Sequence, residues 1–313
     1  MQVQSYRTVG FKMLQSFVAK FYRAPPRFAG GVILNILGYQ ILRITYFNLC
    51  FWFRRKRSLE NAQTEIIASQ LLKDGIVVIP NYFPTDVFAE IKRECDKQDL
   101  TVINDQAPRV EELRFTPGDS SFSGVSVLEK HIGRNKSIDN IVSRVVRKDV
   151  LVPPKVTVVR TSFRKEDLGK ETTDVKSDNL HFDVSYPTIK TFLYLDDVDE
   201  TENGPFNFVK GSHKMTWARL WMEYRLSVSF YWRWSDEQRK SSTPEVSFGF
   251  VEKMGLAVSP ISGKANTLVI ANLMGLHRRG TFFTDKARYV VISSYRDLES
   301  MRHLKFRLTG GKG

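Results

Sequence analysis

Apolar residues recur along this chain with spacings that change from segment to segment, and each spacing predicts a different element. Near the start, Phe11, Leu14, Val18 and Phe21 fall on one helical face. From Gly30 to Phe53 the apolar run is nearly continuous, through Val32-Ile33-Leu34, Ile36-Leu37, Ile41-Leu42 and Phe47 to Phe51-Trp52-Phe53, broken by Asn35, Gln40, Arg43 and Asn48. Residues 60–100 read as helix, strand and helix: Glu60 to Leu72, Ile76 to Ile79, then Thr85 to Cys95 behind a Pro-Thr-Asp start signal. Pro108, Pro117, Gly118 and several serines predict a mobile loop over 104–126 at a cavity mouth, and Ser137 to Val146 predicts a helix. From Lys155 onward short β-branched strands alternate with turns, the pattern of a jelly roll. About 250 residues follow the N-terminal segment, enough for one sizeable core.

One insertion, residues 214–250, departs from the strand pattern. It holds Trp217, Trp221, Tyr224, Phe230, Tyr231, Trp232 and Trp234, and Met215 to Leu226 has helical character. Trp217, Trp221 and Tyr224 fall at i, i+4 and i+7. Such a face fits a helix packed on the barrel, an apolar substrate wall or a second membrane contact.

Charge divides the chain at about residue 59. The whole sequence carries 47 Lys and Arg against 34 Asp and Glu, yet no acidic residue precedes Glu60. Residues 1–59 hold Arg7, Lys12, Lys20, Arg23, Arg27, Arg43, Arg54, Arg55, Lys56 and Arg57; the remaining 254 residues are left at +3. A basic, acid-free segment is read by an anionic surface. Dense apolar residues among those charges exclude nucleic acid, since phosphate binding gains nothing from Val-Ile-Leu runs. A true span needs ~20 apolar residues, and an Arg at mid-span costs roughly 2.5–3.5 kcal/mol. Interfacial helices on an anionic membrane therefore suit residues 1–59 better than a span, helices packed on the following domain or a targeting presequence. Cys50 and Cys95 are too few for a disulfide framework and fit a reducing, intracellular setting, peripheral on the cytoplasmic side of a membrane.

The chemistry centres on Leu180-His181-Phe182-Asp183-Val184. In extended chain, positions i and i+2 emerge on one side, so this run presents an imidazole beside a carboxylate. One more histidine would complete a 2-His-1-carboxylate facial triad, the ligand set of non-heme Fe(II) with coordination positions left open. His213 and His277 both lie downstream. His213 sits in a Gly-Ser turn and reads as a turn or capping residue; His277 follows the strand signal Thr267-Leu268-Val269-Ile270-Ala271-Asn272. Arg288, opening Tyr289-Val290-Val291-Ile292-Ser293, supplies a guanidinium fork suited to the far carboxylate of a keto acid that chelates the metal.

His181-Phe182-Asp183, Leu195-Asp196-Asp197-Val198, Asn203-Gly204-Pro205, Gly211-Ser212-His213-Lys214, His277 and Arg288 together resemble the phytanoyl-CoA dioxygenase family. Leu72-Lys73-Asp74-Gly75-Ile76-Val77-Val78-Ile79-Pro80 with Phe83-Pro84 resembles its entry segment, so the likeness runs from about Leu71 to Tyr295. The resemblance implies a double-stranded β-helix of the cupin-like kind, mainly β with flanking helices. It also implies an oxygenase dependent on Fe(II), 2-oxoglutarate and molecular oxygen. His181, Asp183 and His277 would bind iron, and Arg288 the distal carboxylate of 2-oxoglutarate; the histidine of Gly-Ser-His is not a ligand in that family. Arg160 or Thr157, on the strand Lys155 to Thr161, is a further cosubstrate contact by the same likeness; Tyr194, one residue before the Leu-Asp-Asp run, is a candidate contact or a core aromatic. Arg279 stands where members often carry a small residue. Halogenating relatives replace the carboxylate, so Asp183 implies hydroxylation with release of succinate and carbon dioxide. A lipid-facing segment would favour a small apolar or lipid-linked substrate. A cupin-type protein that binds ligand or metal without turnover is the alternative, and only the oxygenase requires Arg288.

Overall fold

The computed structural model describes residues 28, 31–53, 61–105, 108–118, 126–147, 154–169, 179–233, 235 and 245–296. The helical face expected over Phe11 to Phe21, and His303, lie outside the described residues.

Among the described residues, ten strands form two antiparallel sheets. They are β1 (Ile76–Ile79), β2 (Thr101–Asn104), β3 (Arg109–Phe115), β4 (Lys155–Ser162), β5 (Thr188–Tyr194), β6 (Phe206–Val209), β7 (Val258–Ile261), β8 (Leu268–Asn272), β9 (His277–Arg279) and β10 (Arg288–Arg296). The larger sheet runs β1-β8-β5-β10-β4-β3-β2 and the smaller runs β7-β6-β9. Helices α1 (Gly31–Ile36), α2 (Tyr39–Trp52), α3 (Ala62–Asp74), α4 (Thr85–Asp96), α5 (Lys136–Val146), α6 (Trp217–Arg233) and α7 (Phe248–Lys253) flank them. This is the mainly β, jelly-roll architecture that the strand pattern predicts.

Strand alternation gives the larger sheet two apolar faces. On β5, Ile189 and Leu193 face one way, joining Val77, Leu268, Ile270 and Val291 in a core closed by Leu71 of α3, Ile91 of α4 and Ile138 and Val142 of α5. Tyr194 faces the other way, with Ile76, Val269 and Val290, against Phe208 and Ile261 of the smaller sheet. Phe192 of β5 stacks on Phe206 of β6 at 4.8 Å between ring centroids. A third core lies under α6, where Met222 and Phe230 meet Leu180, Phe182, Val209 and Leu276.

Local signals explain where the helices start and stop. Asn61 caps α3, its side chain accepting from the N–H groups of Gln63 and Thr64, and Asn135 caps α5 in the same way. Gly75 ends α3 at φ +80, where its N–H reaches the Leu71 carbonyl and the chain turns directly into β1. The loop expected over 104–126 is corrected by the structure: residues 109–115 form β3, paired along its length with β4. Glu111 and Glu112 interrupt the apolar alternation that would have announced this strand. The helix expected over Met215 to Leu226 is longer and runs to Arg233.

Candidate metal centre

His181 and His277 are placed by one isolated β-bridge. Each donates its backbone N–H to the other's carbonyl, at 3.0 and 2.8 Å, and their rings lie 4.5 Å apart between centroids. Two residues on, the Asp183 N–H donates to the Leu273 carbonyl at 3.1 Å. Alternation along the segment turns Leu180 and Phe182 into the core under α6, which leaves His181 and Asp183 on the opposite side. Ligand atoms of His181, Asp183 and His277 all lie within 4.8 Å of one another. Neither His213 nor any other His, Cys, Asp or Glu among the described residues joins the cluster.

The donor set fits a divalent iron site. A carbonyl only accepts, so the contacts of His181 Nδ1 with the Asn179 carbonyl (2.7 Å) and of His277 Nδ1 with the Gly275 carbonyl (2.9 Å) place a hydrogen on each Nδ1. Both Nε2 lone pairs are thereby free for a metal, the orientation that outer hydrogen bonds give to metal-binding imidazoles. On Asp183, Lys190 Nζ binds Oδ2 at 2.7 Å while Oδ1 faces His277 Nε2 at 3.6 Å. One carboxylate oxygen is thus held by the protein and the other is turned to the cluster. Burial pushes His181 down to about 4, assisted by the neighbouring His277, so it is a neutral ligand near pH 7. Burial acts to raise Asp183, but the His277 imidazole and the Lys190 charge outweigh it and hold the carboxyl well below its usual range.

A cavity of about 280 Å³ opens from these residues. Its walls are Val110, Val159, Phe192, Phe206, Val290 and Ile292, with Lys190, Arg278, Arg279 and Arg288 as cations and Asp183 as the one acid among the described lining residues. Arg288 enters from the start of β10, its guanidinium donating to the Gly204 carbonyl and lying 5.7 Å from the Phe282 ring centroid. Tyr194 also lines the cavity, with its hydroxyl donating to the Ile261 carbonyl at 2.6 Å. Arg160 does not reach it: β4 turns Val159 and Thr161 inward and Arg160 outward, onto the Tyr289 ring at 4.6 Å. Thr157 shares the inward parity but sits beyond the cavity, opposite Ile292 and Arg114. Sequence reading overlooked Lys190, although the alternation that marks Tyr194 on β5 marks Phe192 and Lys190 as well.

His213 has a different task. Its Nε2 donates to the Leu72 carbonyl at 3.1 Å, and its ring lies so close to Gly75 that a Cβ there would be 2.4 Å from Nδ1. Gly211 donates to the Asp74 carbonyl, and Ser212 Oγ accepts from the Leu276 N–H, one residue before His277. The Gly-Ser-His turn therefore pins the end of α3 to the strand that carries the third ligand.

An antiparallel sandwich with two histidines and a carboxylate at the head of its internal cavity defines the class: a non-heme iron oxygenase fold of the double-stranded β-helix type. The family model described as phytanoyl-CoA dioxygenase matches residues 71–246, and the chain belongs to that family. Among solved structures it is similar to the non-heme alpha ketoglutarate dependent epimerase SnoN from nogalamycin biosynthesis, at 16% identity, TM-score 0.50, covering 75% of this chain and 84% of that one. HygX from Streptomyces hygroscopicus, with nickel, 2-oxoglutarate and hygromycin B bound, matches at 15% identity and TM-score 0.42 over 75% and 86%. A Pseudomonas putida prolyl-4-hydroxylase matches at 10% identity and TM-score 0.44 over 74% and 98%. Comparison with curated proteins gives no significant match.

Proposed function

We propose that this chain is an Fe(II)- and 2-oxoglutarate-dependent dioxygenase that hydroxylates a small apolar or lipid-like molecule. The observation that carries the reading is the His181, Asp183 and His277 cluster, with both Nε2 atoms freed for metal, at the head of a cavity that also holds Arg288. When bound, iron supplies the oxidising chemistry, in which 2-oxoglutarate and oxygen give succinate and carbon dioxide and one oxygen atom goes to a substrate C–H.

The protein's own residues bind, orient and exclude water. His181, Asp183 and His277 would hold the metal at the head of the cavity. Lys190 keeps the carboxylate turned so that one oxygen serves the metal. Arg288 receives the far carboxylate of 2-oxoglutarate, for which its planar fork is the natural partner. Apolar walls from Val110, Val159, Phe192 and Ile292 keep water from the reacting carbon and favour an apolar substrate body. Arg278 and Arg279 on the same wall favour a substrate that also carries an anionic group.

Iron titration and succinate release test this. Asp183→Ala is expected to abolish both iron binding and succinate formation. Arg288→Gln is expected to retain iron and raise the KM for 2-oxoglutarate by about tenfold or more, the loss of a charge-assisted contact of ~1.5–3 kcal/mol. His213→Ala is expected to keep the metal. Iron lost in His213→Ala but kept in His277→Ala would overturn the ligand assignment. Iron binding with no 2-oxoglutarate turnover across lipid and metabolite pools would leave the non-catalytic cupin reading.

A further inference from the structure

Three helices of this protein turn large apolar side chains outward while burying polar ones. Among the described side chains of α2 the exposed ones are Leu42, Thr45, Leu49 and Trp52, spaced by three, four and three residues, while Gln40 and Arg43 are buried beside Tyr39 and Ile44. On α1 the exposed side chains are Ile33 and Ile36, followed by Leu37, while Asn35 is 0% exposed. On α6 Trp217 (88% exposed), Trp221 and Trp232 (72%) point outward, while Arg219, Glu223 and Ser227 are buried beside Met222 and Phe230. A helix that borders water shows the opposite arrangement.

The buried polar groups are satisfied from within, so the inversion is a built feature. Arg219 pairs with Glu223 at 3.1 Å; Glu223 also accepts from Gln40 and from Ser185; Arg43 donates to Gln40 at 3.3 Å. The outward faces form one surface, because Trp221 stacks on Tyr224 at 5.5 Å and the Tyr224 hydroxyl donates to the Ile36 carbonyl at the end of α1. Contiguous exposed apolar area of this kind marks a protein or membrane contact.

Charge selects between the two. Arg23 and Arg27 precede this helical pair in sequence, Arg54, Arg55, Lys56 and Arg57 follow it, and no acidic residue occurs before Glu60. Arg225 and Arg233 are exposed on α6. No described helix is long and apolar enough to cross a membrane. We propose that the outer faces of α1, α2 and α6 form a monotopic docking surface that seats in the interface of an anionic phospholipid bilayer. Apolar and indole side chains enter the headgroup boundary, and the exposed Arg225 and Arg233 of α6 meet lipid phosphates. The surface lies directly behind the metal cluster, since Arg219 of α6 stands 4.4 Å from the ring of Phe182, between His181 and Asp183.

The test uses the full chain without iron or 2-oxoglutarate, so its outcome is separate from that of the oxygenase reading. Vesicles of phosphatidylcholine alone, and with added phosphatidylserine, are compared by co-sedimentation at low and high salt. Tryptophan quenching by brominated acyl chains is read in parallel. Four of the five tryptophans, Trp52, Trp217, Trp221 and Trp232, are exposed on these helices, so the fluorescence reports on this surface. At least about tenfold preference for anionic vesicles, weakened by salt and accompanied by quenching, is expected. Leu42→Ser, Leu49→Ser, Trp217→Ser and Trp221→Ser combined should keep the thermal midpoint and lose binding by about tenfold or more. Unquenched tryptophans in the wild-type chain overturn the proposal whether or not that variant folds. So does a wild-type dimer that the variant dissociates while vesicles stay unbound, which would assign the surface to a second copy.

Discussion

At the residue scale, the site depends on side chains that hold other side chains. Lys190 is the clearest case, since it occupies the Asp183 oxygen that does not face His277. Lys190→Met is expected to lower iron affinity by about 10–100-fold, the usual consequence of losing an outer hydrogen bond to a ligand, with little change in melting temperature; metal titration followed by thermal denaturation checks both. His213 should show itself through pH instead. Burial lowers its pKa below 6.5, the Leu72 hydrogen bond only partly opposing this, so the unfolded chain takes up the proton first. Its contribution to stability is then full above 6.5 and is lost as pH falls through that value toward the folded pKa. His213→Gln should flatten the fall of the melting temperature below pH 6.5, and an unchanged slope would remove His213 from that role. Here His181 and Asp183 were legible from the sequence, because i and i+2 on extended chain share a side whatever the tertiary context. Arg160 was not, because which parity of β4 faces the cavity is settled by its pairing with β3 and β10.

At the element scale, α6 and the turn after α3 carry the tests. The Arg219 and Glu223 side chains are 1% and 0% exposed, and removing either leaves a buried charge without its main partner. Arg219→Ala or Glu223→Ala is expected to cost about 3–5 kcal/mol in denaturant unfolding. Replacing both with Met and Leu should cost far less, because the charges leave together. Gly75→Ala should destabilise by roughly 1–3 kcal/mol, since it needs positive φ and meets the His213 ring. The helices expected over Glu60 to Leu72, Thr85 to Cys95 and Ser137 to Val146 lie within one or two residues of those observed, because helix start and stop signals act within one turn of the chain. β3 was hidden because a charged pair at 111–112 breaks its alternation, and pairing with β4 overrides that weak local pattern.

At the scale of the whole molecule, the basic N-terminal segment and the iron domain meet through α6. Arg43 of α2 donates to Gln40, Gln40 donates to Glu223, and Glu223 accepts from Ser185, two residues past Asp183. A chain beginning near Glu60 is expected to keep iron, because Arg219 and Ser185 still hold Glu223. It should melt several degrees lower, since the α6 surface beneath α1 and α2 becomes exposed, at about 2–4 °C per kcal/mol for a chain of this size. Iron titration and calorimetry on that truncated chain check both halves, and loss of iron would make the segment part of the site.

Sequence alone determined what short-range geometry controls: the strand-rich fold class, the paired imidazole and carboxylate of residues 181–183, the spans of the helices flanking β1, and the concentration of positive charge before residue 60. Each depends on neighbours within a turn or two residues, or on composition. Tertiary structure decided the rest, because the deciding contacts join distant residues. The β-bridge brought His277, which the strand signal and the family likeness name, beside His181, and His213 packs against the α3 terminus instead. Gln40 and Arg43, which looked like interruptions of an apolar run, turned inward because Glu223 lies buried across from them, and that left leucine and tryptophan to face outward.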